Sequence, residues 1–195
     1  MIHLNKAYWN FRYDKERTDW DAGNITTPLK EYFDQLENKH LNVLIPGAGN
    51  AYEAEYLRDI GFTDVHVLDI SDRAMASFSK RVSGFPEKQL HREDFFGHHG
   101  TYDLIIEQTF FCALDPKLRK AYSRKCYELL KPKGKLVGLL WNHEFGTSEP
   151  PFGGSIKEYK DLFTLYFKID VMKLAYNSIK PRANRELFIK LIKND

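Results

Sequence analysis

Short apolar runs alternate along the chain with stretches whose apolar positions recur every three or four residues. Residues 41–45, 65–68, 102–106 and 135–141 are leucine-rich or β-branched runs bounded by turn residues. This pattern predicts buried parallel strands. A weaker strand is expected over residues 88–91. Helices are predicted between the runs. Ala51, Ala54, Leu57 and Ile60 share one face, and Gly61 is placed as a C-terminal cap. Ser71 caps a second helix with Ala74, Met75, Phe78 and Val82 on its inner face. Leu118, Ala121, Tyr122, Cys126 and Leu129 mark a third, which stops before Pro132, and Lys133-Gly134 turns the chain into the next strand.

Strand alternating with helix at this spacing implies a parallel sheet with helices on both faces. The tail breaks the pattern. Residues 165–175 and 185–192 read as two strands joined by a loop containing Pro181, pairing as an antiparallel hairpin on the sheet edge. The expected fold class is therefore α/β: a doubly wound, mostly parallel seven-stranded sheet with an antiparallel C-terminal hairpin. Residues 1–195 are expected to form one domain, with residues 1–38 as an N-terminal flap or helical segment.

Length and composition agree with this reading. A chain of 195 residues, 43% hydrophobic and 29% charged, has the size and balance of one globular core. It leaves no room for a separate substrate domain. The formal net charge of +2 gives no support for nucleic acid or an anionic membrane as partner. Cys112 and Cys126 sit in no metal or redox spacing, so two reduced thiols are expected. The start of the chain is aromatic and charged, without an apolar signal core, and no run has the length of a membrane span. The expectation is a soluble cytoplasmic protein, a monomer or weak dimer, acting on a small molecule.

The strongest local feature is Val43-Leu44-Ile45-Pro46-Gly47-Ala48-Gly49-Asn50-Ala51-Tyr52-Glu53, a strand running into a glycine turn and then a helix. Glycines at such a turn let a ligand lie against bare backbone at the carboxyl end of the first strand. Asp69 ends the second strand, where a carboxylate can accept hydrogen bonds from both ribose hydroxyls of an adenosine. Tyr52 stands where a dinucleotide fingerprint has a third glycine, and Glu53 follows, so a pyrophosphate is disfavoured. The bland alternative is that Gly47 and Gly49 form only a tight turn. Asp94 beside Phe95 can bind and cover an adenine, or be a solvated acid beside a core ring. Gln108, next to Glu107 at the end of the fourth strand, lies near the rest of the ligand, or is a plain polar strand end.

Tyr8, Trp9, Phe11, Tyr13 and Trp20 crowd the first twenty residues among charged neighbours. They read either as a flap that closes over a cationic ligand or as an amphipathic helix with core aromatics. His91, His98 and His99 match no helix-face ligand spacing and are expected to be solvated, with no metal bound. Cys112 is expected to be a packed thiol, and the basic cluster at Lys117, Arg119, Lys120, Arg124 and Lys125 a solvated helix face. Glu107, Asp19 and His143 are candidate bases, each read more simply as a surface or hydrogen-bonded residue; no catalytic residue is assigned.

Trp9 … Tyr13 … Trp20-Asp21-Ala22-Gly23, Leu44-Ile45-Pro46-Gly47-Ala48-Gly49, Asp94-Phe95-Phe96, Phe110-Phe111-Cys112-Ala113-Leu114-Asp115-Pro116, Glu128-Leu129-Leu130-Lys131-Pro132-Lys133-Gly134 and Pro150-Pro151-Phe152 together resemble the thiopurine S-methyltransferase family over nearly the whole chain. The branch that includes plant halide and thiol methyltransferases is the most similar. The resemblance implies a class I, Rossmann-like S-adenosylmethionine (SAM)-dependent methyltransferase that releases S-adenosylhomocysteine. It implies cofactor contacts at Trp9, Tyr13, Trp20, Gly47, Asp69, Asp94, Phe95 and Gln108. At Gln108 relatives carry Arg or Tyr, and at Tyr13 many carry Trp. The acceptor implied is a small soft nucleophile: a thiol, thiocyanate, halide or thiopurine-like sulfur. The readings kept beside it are an N- or O-methyltransferase and a SAM-binding protein without turnover.

Overall fold

A computed structural model describes residues 3–194. One sheet of seven strands organises the chain, in the order β3-β2-β1-β4-β5-β7-β6. The strands are β1 (Val43–Pro46), β2 (Val65–Leu68), β3 (Leu90–His91), β4 (Tyr102–Gln108), β5 (Leu130–Trp141), β6 (Phe167–Leu174) and β7 (Glu186–Lys193). The first five pair in parallel, and β7 runs antiparallel to both β5 and β6. The tail hairpin thus inserts β7 beside β5 and leaves β6 at the edge. The strand order reverses between β1 and β4, and ligands of open α/β sheets bind at such a switch point, beyond the carboxyl ends of the strands.

Successive residues of a strand point to opposite faces, and the two faces carry two cores. Val43, Ile45, Val65 and Val67 pack with Leu29, Phe33, Ala54, Leu57, Met75 and Phe78. These side chains come from α2 (Thr27–Asp34), α3 (Tyr52–Asp59) and α4 (Asp72–Arg81). On the other face Leu44, Leu68 and Ile105 pack with Tyr122, Cys126 and Leu129 of α5 (Arg119–Leu129) and Tyr159, Leu162 and Phe163 of α6 (Ile156–Phe163). Ser71 caps α4 as expected, accepting from the Ala74 amide at 3.2 Å, and Gly61 closes α3 at φ +96°. In α5 the face is turned from the expected one. Leu118 and Ala121 are exposed, while Arg119 and Ser123 are buried.

Three helices complete the set, two of them inside residues 1–38, where a flap or helical segment is expected. α1 (Lys6–Asp14) covers the aromatic start of the chain, with Asn5 as its N-cap. α2 begins with Pro28 in its first turn and buries Leu29 and Phe33 completely; residues 27–34 therefore belong to the core layer. α6 is capped by Ser155, which accepts from the Glu158 amide at 3.3 Å. Among the described residues no helix is long and apolar enough to cross a membrane.

Glu107 shows how the sheet positions the loop above it. Its side chain, on the α5 face of β4, is fully buried. Oε1 accepts from the amides of Phe110 and Phe111, each at 2.8 Å, and Oε2 accepts from the Tyr122 hydroxyl at 2.6 Å. Of the two readings of this acid, base or hydrogen-bonded residue, the structure gives the second. Burial pushes its pKa up to about 7, although these hydrogen bonds favour the ionised form. An unfolded glutamate titrates near ~4.3. Between those values the folded chain holds more protons than the unfolded one, so this residue's contribution to stability falls as pH rises. Glu107→Gln keeps an acceptor for both amides and a polar partner for Tyr122. Its stability relative to the native chain is expected to rise by on the order of 2 kcal/mol between about pH 5 and about pH 8, as read by urea unfolding. A difference that stays flat over that range means Glu107 is ionised in the fold.

Candidate functional site

The turn after β1 has an unusual backbone. Gly47, Gly49 and Ala51 adopt φ of +57°, +54° and +51°, the left-handed region that L side chains rarely enter. The turn's amides are directed inward. Ala48 N–H donates to Leu68 O at 3.1 Å, Ala51 N–H to Ala48 O at 2.7 Å, and Gly49 N–H to Asp69 Oδ2 at 2.8 Å. Asp69 Oδ1 accepts from Ser71 N–H at 2.7 Å. One buried carboxylate thus ties the turn after β1 to the start of α4. Burial raises its pKa, opposed by the backbone amides of Ser71, Gly49 and Ile70. A carboxylate offers about four acceptor positions, so these amides leave acceptor capacity for a ligand. A Cβ on Gly47 would lie 2.1 Å from the Phe110 ring, and one on Gly49 2.7 Å from the Tyr13 hydroxyl. Gly47 is therefore required by contact as well as by φ, and Gly49 by φ.

A cavity of about 430 Å³ opens beside this turn, within the ~300–1,000 Å³ of small-molecule sites. Trp9, Tyr13, Trp20, Gly47, Asp69, Asp94 and Phe95 all line it. The helix α1 lies against α4: Asn10 Oδ1 accepts from the Ser71 hydroxyl at 2.8 Å, and Arg73 pairs with Asp14 at 2.9 Å. No residue of α1 is buried. Trp20 receives Trp9 and Tyr13 edge-on at 5.6 Å and 5.9 Å between ring centroids, with the Arg12 guanidinium 5.0 Å from its own ring. The aromatic start does form a helix, yet its rings border the cavity instead of filling the core. Burial, with the nearby Asp69 charge, holds the Tyr13 hydroxyl protonated. Asp94 is exposed and accepts from the Phe96 amide at 3.0 Å, while Phe95 is 2% exposed and packs on Phe110 and Tyr122.

Gln108 lies elsewhere. It borders a second cavity of about 40 Å³ on the far side of Gly47 and receives the Thr26 hydroxyl at 3.4 Å. Alternation along β4 explains this. Glu107 points to the α5 face, Gln108 to the α2 face, and Thr109 follows at φ +59° to border the main cavity. Thr109 escaped the sequence reading because nothing in the pattern marks a left-handed threonine.

At the far end of the cavity Arg182 and Arg185 were also missed. Trp141, Phe145, Pro150, Pro151, Arg182 and Arg185 line it. The Arg185 guanidinium sits 5.4 Å from the centroids of both Trp141 and Phe145, and its buried Nε has no protein partner. Arg182 donates to Trp20 O at 2.6 Å and pairs with buried Glu186 at 3.4 Å, so the hairpin tail braces the aromatic cover. Cys112 borders the cavity as a packed thiol. Its Sγ–H donates to Thr109 O at 3.3 Å, and burial pushes its pKa up to about 12. Arg119, expected on a solvated face, is 7% exposed and donates to Gly153 O at 2.6 Å, anchoring the loop before α6. Of the three histidines expected to be solvated, His99 is exposed and the other two depart from expectation. His98 is 2% exposed and His91 half-buried, because the pairing of β2 with β3 brings His66 against His91.

Comparison with known proteins places this architecture. Probable thiol methyltransferase 2 of Arabidopsis thaliana is 30% identical over 194 residues, covering 95% of this chain and 84% of the relative. Thiocyanate methyltransferase 1 of the same plant is 28% identical over 189 residues, covering 94% of this chain and 83% of the relative. The fold is similar to that of 1,6-didemethyltoxoflavin-N1-methyltransferase from Burkholderia thailandensis, crystallised with 1,6-didemethyltoxoflavin and S-adenosylhomocysteine. The TM-score is 0.77 at 15% identity, over 97% of this chain and 87% of that one. The family model described as thiopurine S-methyltransferase matches residues 4–191. Since that match runs almost from end to end, the chain belongs to the thiopurine S-methyltransferase family.

Proposed function

We propose that the protein transfers a methyl group from SAM to a small, soft, anionic nucleophile: a thiolate, thiocyanate, a halide or a thiopurine-like sulfur. The observation that carries this reading is one continuous cavity with two unlike ends. At one end lies a carboxylate beside bare glycine backbone under aromatic rings; at the other, two guanidinium groups lie beside Trp141.

The cofactor end fits a nucleoside that has no phosphate. Phosphate sites need backbone N–H groups aimed at the ligand. Here the amides of Ala48, Gly49 and Ala51 are already spent within the protein, and buried Glu53 occupies the first turn of α3. Asp69 keeps acceptor capacity for the ribose hydroxyls, and Asp94 with Phe95 and Phe96 borders the position proposed for the base. Trp9, Tyr13 and Trp20 supply π-faces, which attract a desolvated cation by about 2 kcal/mol or more. When bound, SAM supplies an electrophilic methyl that the acceptor takes by in-line displacement, leaving S-adenosylhomocysteine.

The acceptor end needs no proton abstraction when the nucleophile is already an anion. Its lining is apolar apart from the arginines, and Arg185 has an unpaired donor. A cation in a water-poor cleft holds an anion in place, and positioning reactants in line is worth roughly 7–11 kcal/mol. Cys112, protonated at neutral pH, does not compete as a nucleophile.

Calorimetry with the native chain is expected to show one S-adenosylhomocysteine bound and no NADH. Asp69→Ala is expected to lose about tenfold or more of that affinity, the worth of charge-assisted hydrogen bonds. Undiminished affinity in a folded variant would remove Asp69 from the cofactor seat. Arg185→Ala is expected to raise KM for thiocyanate and iodide by about tenfold with S-adenosylhomocysteine affinity unchanged. With radiolabelled SAM, label appearing only on amines or phenols would overturn the soft-acceptor reading.

A further inference from the structure

At the β3 edge of the sheet stands a side-chain cluster that methyl transfer does not use. His66 of β2 and His91 of β3 stack with ring centroids 5.1 Å apart, and His98 meets His91 edge-on at 4.6 Å. Glu93 reaches in from the loop between them. One ligand atom each from His91, Glu93 and His98 lie within 4.8 Å of one another.

The hydrogen bonds around the cluster decide which nitrogens are bare. Asp64 Oδ1 lies 3.1 Å from His66 Nε2. A carboxylate only accepts, so neutral His66 carries its proton on Nε2 and leaves Nδ1 bare. That Nδ1 is 2.8 Å from His91 Nε2, so His91 must donate there, and its own Nδ1 is bare in turn. This bare nitrogen faces Glu93 Oε1 at 4.0 Å. By the same rule His98 donates from Nδ1 to that oxygen at 2.6 Å and its Nε2 accepts from the Tyr102 hydroxyl at 2.7 Å; ligation through Nδ1 moves this proton to Nε2, which then donates to Tyr102. His91 Nδ1 thus carries no hydrogen and has a carboxylate oxygen 4.0 Å away, an oxygen whose hydrogen comes from His98.

We propose that His91 Nδ1, Glu93 Oε1 and His98 Nδ1 form a binding site for a divalent first-row transition ion, with Zn²⁺ as the best match. Two imidazoles and a carboxylate form a donor set that zinc accepts, with water completing the tetrahedron. Outer partners are in place for both imidazoles: Asp64 through His66 for His91, and Tyr102 for His98, the arrangement that orients metal-binding histidines. Zinc holds such atoms at about 2.0–2.2 Å, which sets them roughly 3.3–3.5 Å apart. Glu93, with a side chain 48% exposed, is free to move off His98 to that distance. His91 and His98 flank the turn that carries Asp94 and Phe95. An ion there ties the two ends of that turn together, and its binding does not depend on the acceptor or on the methyl donor.

The test uses the full, untagged chain, stripped with a chelator and titrated with Zn²⁺ alone. One equivalent is expected to bind, with a rise in Tm that EDTA reverses, and Co²⁺ in its place is expected to give a visible absorption band. Glu93→Ala and His91→Ala are each expected to weaken uptake by at least about tenfold, while the exposed control His40→Ala leaves it unchanged. Glu93 is exposed, so its variant retains the fold, which circular dichroism checks. Failure of the native chain to take up a stoichiometric ion, or uptake unaltered in both ligand variants, overturns the proposal and leaves a hydrogen-bonded histidine chain. S-adenosylhomocysteine binding in the same preparations reads the cofactor seat separately.

Discussion

The Asp69 carboxylate is the contact on which the upper end of the sheet depends. It gathers the Gly49 amide from the turn after β1 and the Ser71 amide from the start of α4. Through Ser71 the same junction reaches Asn10 of α1. Three segments distant in sequence are thus held around one buried charge. Leaving that charge without its amides would cost several kcal/mol, so the geometry of the turn and the ionisation of the acid are a single constraint.

The cavity follows from that constraint and from alternation along β4. Glu107 turns inward and fixes the Phe110 and Phe111 amides. Phe110 is then held against Gly47, where only a hydrogen fits. The cavity is completed from both ends of the chain. The aromatic start supplies Trp9, Tyr13 and Trp20, and the hairpin tail supplies Arg182 and Arg185. The bond from Arg182 to Trp20 O joins the two. The end proposed for the cofactor and the end proposed for the acceptor therefore share one structural contact.

The β3 edge shows the same economy of polar groups. His66, His91 and His98 come from three separate segments, and each has a partner that fixes its ring. They sit directly below the turn bearing Asp94. The proposed ion site and the proposed adenine site thus share a short piece of backbone while using different side chains.

Much of this was legible in the sequence because it rests on local chemistry. Apolar runs broken by turn residues gave the strands, and Gly47, Gly49 and Asp69 marked the left-handed turn and its carboxylate partner, since φ and a carboxylate at a strand end are set within a few residues. α2 and α6 carry local marks as well, Pro28 in the first turn of one and the Ser155-to-Glu158 cap of the other, but neither follows from the alternation of apolar runs. Which way a side chain faces at a strand end was not legible. Gln108 borders the small cavity and Thr109 the main one, because a step of one residue along a strand reverses the face. The approach of His66 to His91 and of Arg182 and Arg185 to Trp141 could be seen only in three dimensions. His66 is far in the chain from His91, and Trp141 from the two arginines, and it is the pairing of strands that brings them together.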